Sequence, residues 1–591
     1  MDGIKVTQVP ATLVRLGQQL EGTVHLTQHH MIFRTDQREI WISYPVVSEV
    51  VRRAATSSGS SALLRMVGKD FMFLSFQFAS DDDAINVYDS LVSLCHPEDT
   101  SDLYAFVYRP APPESNFNCW DLYDPVKEYR RMGIVPEDTS WRITNANNSF
   151  TLCPTYPPLL VVPGSISDTV LSYAAKFRSK GRLPVLSYYH QFNRCTISRC
   201  SQPLVGLKQH RSPQDEGLLR AIYATTETPR GYHGATVENL IVDLRPAGNA
   251  YAQTALGGGT ENMDRYRPAR KAYYGIDNLH VMRDSYNRVV EALRHGDVSD
   301  STPSAVSLEK SQWLRHIEII LEGVAQVVQQ VHFKCSHVVV HCSDGWDRTP
   351  QLTSLAMLLL DPYFRTLEGF AVLVEKEWVS FGHQFQIRNN DLGRKNFSTV
   401  EEDPSVFSNV TSFISETTRG RQSGPIFRQF LDCVYQLVYE HPNDFEFNER
   451  FLRRLLYHSY ACQYGTFLLN NEREREEYRV REKTRSVWDY FMARKQQFLN
   501  LSYAATEEVK LPPAKSRWWA AAFGRSDADM NDPEAWRKDA SPKRQSPSLT
   551  PNSANGSKPE DKSHTLAASL NQVTLDDTKR ETTIQAEEVV T

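Results

Sequence analysis

The stretch Ser336-His337-Val338-Val339-Val340-His341-Cys342-Ser343-Asp344-Gly345-Trp346-Asp347-Arg348-Thr349-Pro350 reads as the end of one element, a short loop and the start of another. The β-branched run Val338-Val339-Val340 predicts a buried strand. Thr349 is placed to cap a helix and Pro350 suits a first turn. Leu352, Leu355, Ala356 and Leu359 then share one apolar face at helical spacing. A loop running from a strand to a helix N-terminus is an anion site, because backbone N–H groups and aligned peptide dipoles face the same point. Cys342 and Arg348 stand six positions apart, so this one loop carries a sulfur nucleophile and a forked cation.

The chemistry follows from the parts. The N–H groups of Ser343, Asp344, Gly345, Trp346 and their neighbours are expected to point inward, favouring the Cys342 thiolate at neutral pH. Arg348 suits a bidentate grip on two phosphoryl oxygens, tightening as charge redistributes in the transition state. Thiolate attack on phosphorus gives a phosphocysteine that water then hydrolyses. An alkoxide leaving group needs a proton, and Asp347 is the acid within the loop, although a carboxylate there could equally position Arg348. Asp344 is expected to turn toward the loop amides.

These residues resemble the myotubularin lipid phosphatases, whose loop reads Cys-Ser-Asp-Gly-Trp-Asp-Arg. The likeness extends to Arg182-Leu183-Pro184-Val185-Leu186-Ser187, Arg199-Cys200-Ser201-Gln202-Pro203, Glu375-Lys376-Glu377-Trp378-Val379-Ser380-Phe381-Gly382-His383, Phe427-Arg428-Gln429-Phe430-Leu431-Asp432-Cys433 and Phe445-Glu446-Phe447-Asn448-Glu449. The resemblance implies removal of the 3-phosphate from phosphatidylinositol 3-phosphate and phosphatidylinositol 3,5-bisphosphate. It implies a cysteine-dependent α/β phosphatase with helices around a central sheet, preceded by a PH-like β-barrel of the GRAM type. It also implies sugar contacts from Asn249 and Asn278, and contact with a 5-phosphate by two basic residues four apart. Here those two positions hold Gln384 and Arg388, so only the second cation is present; Arg394 and Lys395 stand nearby to compensate. Partners implied are phosphoinositide lipids on the cytosolic face of endosomal or vacuolar membranes, and homo- or hetero-oligomers with related phosphatases. No cofactor or metal is expected.

The rest of the chain is consistent with that reading. At 591 residues with net charge -5, it is long enough for two or three domains and lacks the basic surplus of a nucleic-acid binder. Its nine cysteines are scattered without metal-type pairing, as expected for reduced thiols in the cytoplasm. No run approaches the ~18 apolar residues that span a bilayer. Residues 1–108 carry short strand-like runs, among them Gly22–Leu26, His30–Phe33, Ile40–Ile42, Leu63–Val67 and Phe71–Phe76. A helix is expected from Asp81 to about Cys95, with Ile85, Val87, Leu91 and Leu94 facing the core. Residues 109–118, with Arg109-Pro110-Ala111-Pro112-Pro113, read as a linker, and 119–510 as the phosphatase domain. Within it, Asn389–Gln422 reads as a surface insertion. Residues 511–591 read as a low-complexity, largely disordered tail with Ser546-Pro547 and Thr550-Pro551 as phosphorylation sites. In that tail Trp518–Phe523 either packs on the domain or enters a membrane interface. Two other functions fit the loop: a protein tyrosine or dual-specificity phosphatase, and a lipid-binding adaptor without turnover.

Overall fold

The alternation near the N-terminus produces seven strands: β1 (Gln8–Arg15), β2 (Gln18–Leu26), β3 (His30–Arg34), β4 (Glu39–Ser43), β5 (Val47–Arg53), β6 (Ala62–Gly68) and β7 (Phe73–Phe78). In β1, Val9, Ala11 and Leu13 are buried while Gln8 and Pro10 are exposed, because successive side chains of a strand face opposite sides. The strands form a curled antiparallel sheet in the order β5-β6-β7-β1-β2-β3-β4. Helix α1 (Asp81–Leu94) opens with three aspartates, which favour a helix N-terminus. Its Ala84, Val87 and Leu91 enter the core built by Leu64, Phe76 and Phe33. Ile85, expected there, is only half-buried.

The computed structural model describes residues 3–55, 61–226, 238–294, 303–393, 395–400 and 422–532, all within one unit spanning residues 1–540. Beyond the N-terminal sheet, β8 (Trp141–Thr144) and β9 (Leu160–Pro163) make a two-stranded ribbon. A five-stranded sheet follows from β10 (Val185–Tyr189), β11 (Thr196–Cys200), β12 (Leu240–Asp243), β13 (Arg270–Tyr273) and β14 (Val338–His341). Its order is β10-β11-β14-β12-β13, with β10–β11 antiparallel and the other pairs parallel. The central place of β14 explains its unbroken apolar run, since such strands are covered on both faces. Ligands of such sheets bind beyond the carboxyl ends of the strands. Three helices start beyond such ends: α2 (Ala247–Ala252) after β12, α3 (Leu279–Leu293) after β13 and α4 (Arg348–Leu360) after β14.

Helix α4 is buried from Thr349 to Leu360 on every side, more than the single apolar face expected, because helices Trp313–Val328 and Ile426–Glu440 both pack on it. Its N-cap residue is Asp347, with no side-chain capping bond. Thr349, expected to be the cap, lies inside the first turn instead.

Three further expectations need revision. The segment after Asn389 is not simply a surface insertion. Beyond the short helix α5 (Phe385–Asn389), the strand β15 (Asn396–Val400) pairs parallel with β5 and completes the N-terminal sheet as its eighth strand. Phe397 packs there against Tyr88 and His96. Residues 401–421 lie outside the described residues. The stretch taken as a linker is fastened down: buried Glu114 accepts hydrogen bonds from Tyr108, Tyr464 and Arg494. Finally, the fold runs on past residue 510 to Asp532. Trp518, Trp519 and Phe523 are buried. Trp519 stacks on Tyr435, and its indole N–H donates to Glu449 at 2.8 Å. A few large apolar anchors outweigh the polar composition around them. The expected disorder and phosphorylation sites of the remaining tail fall in 533–591, outside the described residues. Among the described residues no helix is long and apolar enough to cross a membrane.

Candidate active site

Cys342 directly follows β14 and borders a cavity of about 230 Å³, together with Ser343, Asp344, Trp346, Asp347 and Arg348. Two donors converge on its sulfur: the Gly345 N–H at 3.2 Å and the Thr349 hydroxyl at 3.4 Å. The threonine read as a helix cap thus serves the sulfur.

The loop's outward carbonyls explain its inward amides. Ser343 O accepts from the Gln202 N–H at 2.9 Å. Gly345 O accepts from Arg182 at 3.0 Å and Arg199 at 2.9 Å. Trp346 O accepts from His383 Nδ1 at 2.8 Å. In a trans peptide the next N–H points opposite to the carbonyl. Pinning these three oxygens outward therefore turns the N–H groups of Asp344, Trp346 and Asp347 toward the inside of the loop. Gly345 permits the turn: its φ is +78°, and a Cβ there would sit 2.4 Å from Cys200 O.

Behind the loop lies a layer of buried arginine. Arg199 pairs with Glu377 at 2.9 Å, both fully buried. Among the described residues Arg182 has neutral acceptors only: Gly345 O, Phe381 O, and the carbonyl and hydroxyl of Thr155. Its guanidinium also lies over the Tyr156 ring. A buried cation without a carboxylate partner adds positive potential behind the anion site. Arg348 itself donates to Ile276 O at 3.1 Å and Ser343 Oγ at 3.3 Å, which among the described residues uses only part of its fork and leaves the remainder for a ligand.

The two carboxylates differ. Asp344 accepts from the Ser179 hydroxyl at 2.8 Å rather than from loop amides as expected. Asp347 is gripped in two-pronged fashion by Arg388, Nε to Oδ1 at 3.0 Å and Nη2 to Oδ2 at 2.8 Å. His383 Nδ1 lies 3.2 Å from Oδ1. Burial pushes the Asp347 carboxyl up, but Arg388 and the His383 contact together outweigh it and hold the group well below the ordinary carboxylate range. In this resting arrangement Asp347 is a carboxylate.

The remaining predicted residues divide. Asn278 lines the cavity, yet its side-chain oxygen caps α3, accepting from the His280 and Val281 N–H groups. Only its amide NH2 remains for a ligand. Arg388 also lines the cavity. Asn249 does not: it is exposed on α2. Gln384 is half-buried and not part of the lining. Lys395 donates to Asn390 O and is taken up at the seam with the N-terminal sheet; Arg394 lies outside the described residues. Among the described residues no cluster of three or more His, Cys, Asp or Glu could hold a metal ion. Arg182, Arg199, Gln202 and His383 sit in the blocks that carried the resemblance but had no assigned role. The available signal was a charge inside an apolar strand, as at Arg199, which cannot be buried without partners.

Comparison with known proteins places this geometry. The model of the Myotubularin-like phosphatase domain matches residues 103–476, and that of the MTMR6-9 GRAM domain matches residues 5–95. The chain is 36% identical to a Phosphoinositide 3-phosphatase of Saccharomyces cerevisiae, over 92% of this chain and 95% of that one. It is 39% identical to the Mus musculus Phosphatidylinositol-3,5-bisphosphate 3-phosphatase MTMR6, covering 83% and 74% of the two chains. With Mus musculus Phosphatidylinositol-3,5-bisphosphate 3-phosphatase MTMR2 the identity is 40%, over 84% and 73%.

Proposed function

This chain belongs to the myotubularin-like phosphatases, a phosphoinositide 3-phosphatase family, and from that premise we propose that it hydrolyses the 3-phosphate of phosphatidylinositol 3-phosphate, and also of phosphatidylinositol 3,5-bisphosphate, through a phosphocysteine intermediate. The observation that carries the reading is the convergence on one cavity of the Cys342 sulfur, the inward loop amides, the free part of the Arg348 fork and the Asp347 carboxyl. The 3-phosphate enters between the loop amides and Arg348. Cys342 attacks phosphorus as the bond to the inositol oxygen breaks, and negative charge on the phosphoryl oxygens meets donors already fixed in place. Asp347 supplies the proton for the departing oxygen. An incoming phosphate competes for Arg388 and sets negative charge beside Asp347; both effects raise its proton affinity, so that it takes up a proton from solvent before the chemical step. Water then attacks phosphorus from the side the inositol oxygen left and gives a proton to Asp347, and the phosphorus–sulfur bond breaks to release phosphate and the Cys342 thiolate.

The monophosphate is the better substrate on this reading. Gln384 replaces one cation, and a lost charge-assisted contact is worth about 1.5–3 kcal/mol, or tenfold and more in selectivity. The test is phosphate release from vesicles containing either lipid, with Cys342→Ser as the blank. Higher kcat/KM on the monophosphate, narrowed by Gln384→Arg, is expected. Faster turnover of the bisphosphate refutes the preference, and release by Cys342→Ser refutes the mechanism.

A further inference from the structure

We propose that His383 is the positioning residue of the proton donor, one N–H holding the Asp347 carboxyl and the Trp346 carbonyl in a fixed relation so that Asp347 presents its proton from Oδ2. The proposal rests on the reading of Asp347 as the acid.

The ring of His383 is immobilised from several sides. Its backbone follows a wide helical turn at Glu375–Ser380 and Gly382, whose φ is +72°. A Cβ on Gly382 would lie 2.3 Å from Thr155 O, so the chain passes close there. The His383 N–H donates to Trp378 O at 2.9 Å. The imidazole stands edge-on to Trp378 at 4.9 Å and to Phe385 at 4.8 Å.

The proton on this ring can be placed. Trp346 O only accepts, so Nδ1, 2.8 Å away, carries the hydrogen. Nε2 is buried and has no hydrogen-bond partner among the described residues. The Nδ1–H is shared between Trp346 O and Asp347 Oδ1, 3.2 Å away. These acceptors belong to consecutive residues, so the contact fixes the carboxyl relative to the peptide that carries it.

The division of labour on Asp347 follows. Among the described residues Oδ1 meets both His383 and Arg388, whereas Oδ2 meets Arg388 alone. Arg388 lines the cavity and His383 does not. A phosphate entering the cavity draws Arg388 and leaves His383 in place. Oδ2 then becomes the oxygen free to take up a proton from solvent, while the His383 N–H remains on Oδ1, which takes the carbonyl role of the protonated acid. As the sulfur–phosphorus bond forms and the phosphorus–oxygen bond breaks, that proton passes from Oδ2 to the inositol oxygen. Asp347, again a carboxylate, regains a proton from the water that cleaves the phosphocysteine.

Leaving-group dependence tests this in the full-length chain. Lipid hydrolysis expels an alkoxide that needs the acid, whereas 4-nitrophenyl phosphate expels a stabilised phenolate that does not. Four variants are compared on both substrates: His383→Leu, His383→Asn, Asp347→Asn, and Asp347→Asn combined with His383→Leu. His383→Leu is expected to lower lipid kcat by about 100-fold with KM within about twofold. Its turnover of 4-nitrophenyl phosphate stays within about threefold of wild type, which also certifies the fold. His383→Asn, whose Nδ2 occupies the Nδ1 position, restores most of the lipid activity. Adding His383→Leu to Asp347→Asn costs nothing more, because both act through one proton. Equal losses on both substrates in His383→Leu, or a full additional loss in the double variant, overturn the proposal. If Asp347→Asn alone lowers both substrates alike, the acid assignment itself has failed, independently of His383.

Discussion

The cysteine loop and the strap from Leu511 to Asp532 are both tightly held, yet they are held in different ways. In the loop the fastening is polar and short-ranged. Carbonyls are pinned outward, amides turn inward, and Gly345 makes the turn that a Cβ would block. In the strap the fastening is apolar and distant in sequence. Trp519 stacks on Tyr435, and Phe523 meets Phe71 of the N-terminal module and Trp313. One region fixes where phosphate charge goes; the other holds two parts of the fold together. Substitutions should therefore separate activity from stability.

The largest effect is expected from Gly345→Ala. A Cβ 2.4 Å from Cys200 O forces the loop to shift and costs its aligned donors, so kcat should fall by about 10²–10³. The melting temperature should fall by less than in Trp519→Ala, because the strain is confined to the loop. A variant that keeps wild-type kcat would break the contrast from the loop's side. Trp519→Ala should do the reverse: removal of a fully buried indole costs about 3–5 kcal/mol of stability, read by denaturant unfolding. Its kcat should remain near wild type below the transition. Unchanged stability would mean that the strap is not part of the core.

The smallest expected effect is a displacement of the pH profile. Arg388→Met removes the principal partner that lowers the Asp347 carboxyl. The acid must be protonated to act, so loss of its proton in the substrate complex forms the alkaline limb of kcat. Raising its pKa moves that limb to higher pH. The position of the limb is the readout, rather than its overall height. A limb that stays in place or moves to lower pH would remove Arg388 from the account of Asp347.

The same contrast explains how much was legible in the sequence. Cys342, Asp347 and Arg348 could be read because strand, loop and helix lie within fifteen consecutive residues, and each carries its own periodicity or capping chemistry. Thr349 was misread because capping and donation to a sulfur need the same hydroxyl, and only the path of the loop decides between them. The phosphatase sheet was visible as alternation, but its pairing was not. β15 could not be foreseen, because its partner β5 lies some 350 residues earlier and five residues carry no register information of their own. Trp518, Trp519 and Phe523 were visible as a patch, and what covers a patch is a tertiary fact. His383 was invisible for a related reason: a lone buried histidine has no meaning until Trp346 O and Asp347 appear beside it.

The central claim is that the Cys342 sulfur takes the phosphoryl group. Rapid acid quenching of the enzyme during turnover of lipid labelled at the 3-phosphate, followed by peptide mapping, tests it most directly. The account predicts label on the peptide bearing Cys342, appearing within the first turnover, lost in Cys342→Ser and longer-lived when hydrolysis is slowed. Turnover at full rate with no label on that peptide, or with label on another side chain, would contradict it.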